Sequence, residues 1–78
     1  MNLRIIQDIC IGENIKTARI KAGLTQDQLA AKLQLSGFDI SRGTLAKIEV
    51  GLRHIKVSEI KILKKILNID YNYIFDCE

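Results

Sequence analysis

The chain contains no proline and no tryptophan, and its 78 residues include only two cysteines and one histidine. Without proline, its turns must be set by Gly, Asn, Asp and Ser. The two cysteines, Cys10 and Cys77, lie at opposite ends. They make no disulfide-dense framework and show no metal-site spacing. One bridge between the termini is geometrically possible, but two thiols in a reducing compartment is the expected state. The histidine, His54, has no carboxylate pair, Ser/His/Asp set or Cys/His cluster around it. Nothing in these residue types supports catalysis, a metal or a cofactor. There is no signal-peptide pattern and no apolar run approaching about 18 residues, so no membrane span is expected. The expectation is a soluble, cytoplasmic protein.

What is present is Ile and Leu in quantity. Hydrophobic residues make up 47% of the chain, which argues against a disordered protein. The length suits one small domain. A domain of this size buries only about 60% of the surface its unfolded chain exposes, so every apolar stripe matters. The formal net charge of +3 fits a polyanionic partner without establishing one.

Residues 1–10 alternate unevenly (Leu3, Ile5, Ile6, Ile9), compatible with an extended arm, a short strand or an early helical turn. Ile11, Ile15, Ala18 and Ala22 then form one helical stripe, predicting a first helix over Ile11–Ala22 that Gly23 stops. Thr25 caps a second helix, and Gln28 three residues on completes a capping box. Leu29, Ala30 and Leu33 are its buried side. Gln34 to Asp39 reads as a loop around Gly37, with Leu35 and Phe38 tucked onto the core; the same residues could instead extend the second helix or form a loop that touches DNA. Ser41 caps a third helix over about Arg42 to Val50, with Leu45 and Ile48 inward and Gly51 as its stop. Val57–Leu67 is a fourth helix with Ser58 as N-cap, apolar Ile60, Leu63 and Leu67, a wet stripe of Lys61, Lys64 and Lys65, and Asn68 at its end. Asp70 caps a short fifth helix, Tyr71 to Phe75. Residues 1–10 therefore form an N-terminal segment, 11–75 the domain and 76–78 a tail.

The second and third helices, each opened by a hydroxyl residue, have the layout of a helix-turn-helix, whose second member can enter the DNA major groove. The chain resembles the Cro/phage-repressor (Xre-type) family. The matching residues are Ile11-Gly12, Ile15, Arg19, Gly23-Leu24-Thr25-Gln26, Leu29-Ala30, Leu33, Ile40-Ser41-Arg42, Thr44-Leu45, Ile48-Glu49 and Gly51. The closing stretch Leu67 to Phe75 is similar as well. Two features depart from the pattern. Family members place a single residue between the last leucine of the second helix and the residue before the third-helix cap, whereas six separate Leu33 from Ile40. The loop after Gly51 usually has a proline; here it reads Leu52-Arg53-His54-Ile55. The resemblance implies an all-α, five-helix, lambda-repressor-like DNA-binding domain with an extended connection between helices two and three.

The candidate DNA-binding residues are Thr25, Gln26, Arg42, Gly43, Thr44, Lys47, Arg53 and His54. Arg42 opens the third helix, where a cation opposes the helix dipole; an outward arginine there is better explained by a phosphate or by guanine O6 and N7. Gly43 is either a tolerated first-turn glycine or a point of close approach to DNA. Thr44 can reach phosphate or a thymine methyl, or bond back to Ser41. Lys47 lies one turn past Gly43, as a DNA contact or a solvated lysine. The resemblance implies that Gln26 bonds a phosphate beside the helix amides. Arg53, His54 and Lys56 form a basic loop, either a backbone clamp or a solvated charge run. The resemblance also implies that Arg19 and Glu49 form a partly buried structural ion pair.

The reading is sequence-specific double-stranded DNA binding by a bacterial or phage transcriptional regulator, as a repressor and not an enzyme. It would act as a homodimer on a near-palindromic operator. The dimer surface is expected at Tyr71, Tyr73, Ile74 and Phe75, with Leu3, Ile5 and Ile6 as the second candidate. The alternatives are an antitoxin-type autoregulator with a toxin partner, and a helical protein-interaction module without DNA binding. The basic, polar outer face of the third helix favours DNA over the last.

Overall fold

A computed structural model describes residues 3–77, with side chains from residue 7 onward. It has five helices: α1 Leu3–Lys21, α2 Gln26–Leu35, α3 Arg42–Glu49, α4 Val57–Leu67 and α5 Tyr71–Phe75. No strand occurs among the described residues. The core is one continuous cluster that includes Ile15, Leu29, Leu33, Leu45, Ile48, Leu63 and Ile74.

The caps follow the local sequence. Thr25 accepts from the Gln28 amide at 3.1 Å, and Gln28 Oε1 accepts from the Thr25 amide at 2.9 Å. These bonds satisfy two of the orphan donors at the helix start. Ser41 accepts from the Thr44 amide at 3.1 Å, and Asp70 from the Tyr73 amide at 2.8 Å. Asn68 ends α4 in the left-handed conformation, φ 53°.

Four expectations are corrected. The first helix begins at Leu3 rather than Ile11 and ends at Lys21, with Ala22 exposed. Ile9 falls off the Ile11/Ile15/Ala18 stripe by helical geometry and lies against the Gly51 backbone, partly exposed. The cap of α4 is Lys56, not Ser58; the Glu59 carboxylate accepts the Lys56 amide at 2.8 Å. Leu35 is 89% exposed, whereas Phe38 is buried as expected. The extended connection explains the difference: α2 runs through Leu35, then Gly37 at φ 92° reverses the chain, and the Phe38 amide bonds back to the Leu33 carbonyl at 2.9 Å. This closure turns Phe38 inward and leaves Leu35 on the last outward turn.

Lastly, Cys10 and Cys77 form a disulfide, Cα–Cα 5.6 Å, rather than two thiols. The Asn14 side-chain amide donates to the carbonyls of Ile74 at 3.0 Å and Asp76 at 3.1 Å, fastening the end of α5 to α1 beside that bridge. A bridge closing a loop this long contributes about 4 kcal/mol in the chain-entropy account.

Gly12 lies where α1 crosses the end of α3. A Cβ there would meet the Ile48 carbonyl oxygen and stand 2.8 Å from that of Glu49. These are backbone atoms and cannot step aside as a side-chain tip can. Gly12→Ala should therefore destabilise the fold by about 1–3 kcal/mol despite alanine's better helix propensity. Denaturant unfolding at neutral pH checks this; a variant as stable as the native chain would mean the crossing is not tight.

Candidate nucleic-acid interface

The helix-turn-helix pair is anchored by a buried charge. Glu49, 2% exposed, ends α3. Arg19 of α1 meets it with two hydrogen bonds, Nε to Oε2 at 2.7 Å and Nη2 to Oε1 at 3.0 Å. The third guanidinium nitrogen donates to the Leu24 carbonyl at 2.9 Å. Gln26 Nε2 adds a bond to Glu49 Oε1 at 3.1 Å. One network thus joins α1, the turn after it, the start of α2 and the end of α3. The bidentate geometry and additional donors are what a buried pair needs to offset its desolvation.

Around that anchor, the residues singled out from the sequence fall into two groups. Arg42, Gly43 and Lys47 are exposed on α3, and Thr25 is exposed at the start of α2. Gly43 has open space where a Cβ would stand, with only Ser41 Oγ at 3.9 Å. Thr44 is half-buried, and its hydroxyl accepts from Ser41 at 3.0 Å. Gln26 is half-buried and has one amide hydrogen left after bonding Glu49.

The other group is engaged elsewhere. Arg53 makes a double bond pair to Glu59, Nη1 to Oε1 at 3.2 Å and Nη2 to Oε2 at 3.1 Å. Its guanidinium also lies over the Phe38 ring, 5.9 Å from the centroid. His54 Nδ1 is 3.0 Å from Asp8 Oδ1, which reaches across from the early part of α1. The basic loop is thus tied to α4 and α1. Asp27 was not singled out from the sequence, where an acid in a first helical turn is ordinary. Its Oδ1 lies 3.8 Å from Arg42 Nε across the α2–α3 boundary.

Burial pushes the Glu59 carboxyl up, but the bonds from Arg53 and the Lys56 amide, with the nearby positive charges, outweigh it and hold it below its ordinary 4.5.

Among the described residues no helix is long and apolar enough to cross a membrane, and no group of His, Cys, Asp or Glu is placed to hold a metal.

The profile of the Helix-turn-helix family matches residues 15–74, from the core of α1 to α5. The chain therefore belongs to the Cro/C1-type helix-turn-helix family, a family of DNA-binding regulators. No curated protein and no solved structure matches the chain significantly.

Two outcomes follow from these pairs. Glu49→Ala leaves Arg19 buried without its partner and should cost about 3–5 kcal/mol in denaturant unfolding; a loss under about 1 kcal/mol would show that Arg19 finds water there. For Glu59, a carboxyl depressed in the fold supplies stability above its unfolded pKa and loses it as pH falls through the folded one. Stability should therefore decline as pH drops below 4.5. Glu59→Gln should lower the neutral-pH value and flatten that decline, read as Tm against pH; parallel profiles for the two proteins would remove Glu59 from the acid transition.

Proposed function

We propose that this chain is a sequence-specific transcriptional regulator, acting as a repressor, that reads the major groove of double-stranded DNA with α3. The observation that carries this is the division of labour among its cations. Arg19 and Arg53 are committed to Glu49 and Glu59, while Arg42 and Lys47 stand exposed on the outer face of α3. Arg42 reads guanine O6 and N7 with paired bonds, and Lys47 contacts a base or phosphate further along the helix. Gln26 gives its remaining amide hydrogen to a phosphate next to the N-terminal amides of α2. Thr25 and Thr44 border the same surface. His54 lies at its edge, held by Asp8, and Arg53 supports the loop from behind.

One module offers few base contacts, so the chain acts as a homodimer on half-sites about one DNA turn apart. Tyr71 and Phe75 of α5 supply the apolar surface, being 42% and 49% exposed. Ile74 is withdrawn from that surface because it is fully buried in the core. The side chains of Leu3, Ile5 and Ile6, the other dimer surface considered, lie outside the described residues. The protein works in the cytoplasm of a bacterium or in a phage-infected cell.

Selection of bound duplexes from a random-sequence library tests this. Wild type should enrich a near-palindrome, and Arg42→Ala should relax one position per half-site by about tenfold or more. Enrichment of a single half-site would overturn the dimer. No enrichment by either protein would overturn DNA reading in favour of a protein-interaction module.

A further inference from the structure

We propose that Asp27 is a positioning residue for Arg42, holding its guanidinium so that guanine is recognised more sharply than Arg42 alone would manage. The proposal rests on the base-reading assignment of Arg42 made above. Asp27 and Arg42 come from different helices, and both side chains are largely exposed, 78% and 65%. Asp27 Oδ1 faces Nε, the inner edge of the guanidinium, at 3.8 Å. Guanine is read by two parallel N–H donors. With the carboxylate beside Nε, the outer edge formed by Nη1 and Nη2 is left for the base. The neighbouring Gly43 has no side chain to crowd that outer edge.

The pair is weak in free protein, because water screens exposed ions and both side chains lose rotamer freedom to meet. In the groove, water is displaced and the local dielectric falls, so the attraction strengthens when Arg42 docks. An arginine already oriented loses less freedom on binding. The carboxylate also repels nearby phosphates and lowers sequence-independent affinity. Asp27 therefore trades general attraction for discrimination. Its place in the first turn of α2 also suits the helix dipole, so the test must separate recognition from helix stability.

The test measures binding of the full chain to the duplex selected by wild type, and to the same duplex with the Arg42-dependent guanine replaced. The preference is the ratio of the two affinities, from which partial unfolding of a variant cancels. Asp27→Asn should bind an unrelated duplex at least as well as wild type, yet lose about two- to fivefold of the guanine preference at that position alone. Asp27→Glu, which keeps the charge, should restore it. In an Arg42→Ala background, Asp27→Asn should have no effect on the ratio. A uniform change across all duplexes, or an unchanged preference, would overturn the proposal and leave Asp27 as a source of field alone. If Arg42→Ala itself keeps the wild-type preference, the base-reading assignment fails, and the position of Asp27 explains nothing about recognition.

Discussion

The buried carboxylate of Glu49 is the constraint on which the rest of the structure depends. It sits at the C-terminal end of α3, where the helix dipole disfavours an anion, and it is almost wholly removed from water. Such a group is tolerable only if every lone pair is well served. Arg19 supplies two donors and Gln26 a third. Serving Glu49 places α1, the start of α2 and the end of α3 at fixed mutual positions. The Arg19 bond to the Leu24 carbonyl extends that control to the turn before α2. The outer face of α3 is thereby aimed by a charge on its inner side.

The same logic runs through the rest of the chain, where polar side chains hold backbone ends that apolar packing cannot satisfy. Glu59 binds both the Lys56 amide and Arg53, so the start of α4 and the loop before it form one unit. Asn14 bonds the carbonyls at the end of α5 next to the Cys10–Cys77 bridge. Gln34 Nε2 reaches the Ile40 carbonyl at 2.6 Å and spans the extended connection from within. The length of that connection therefore leaves the cap of α3 in place. Positive charge is sorted by these ties: Arg19 and Arg53, bonded to buried carboxylates, hold the fold, and Arg42 and Lys47 are left outward on α3.

Much of this was legible in the sequence where the cause is local. The Thr25–Gln28 box, the Ser41 and Asp70 caps and the left-handed end at Asn68 depend on residues three or four apart, which sequence displays directly. The apolar stripes of α2 and α4 were legible for the same reason. The early half of α1 was not, because Ile9 packs on Gly51 and Asp8 meets His54, contacts that no helical period announces. Leu35 and Phe38 looked alike as loop hydrophobes; the reversal at Gly37 buried one and exposed the other. Lys56-Val57-Ser58-Glu59 does carry a local signal, a Glu at the third helical position, which assigns the cap to Lys56.

The sequence by itself determined the family, the five helices and the place of the helix-turn-helix pair, because periodicity, caps and motif residues are read along the chain. Tertiary structure decided which polar residues of that pair and its surroundings are bonded within the fold and which stand exposed. Arg53 and Arg42 are the same residue type. One is bound to Glu59 and stacked on Phe38, while the other stands exposed beside Asp27. The closure of Cys10 with Cys77 was equally a matter of three dimensions, since the two lie 67 residues apart. The physical reason is common to all of these. A charge or thiol is assigned its role by the partner within about 4 Å, and folding rather than sequence order selects that partner.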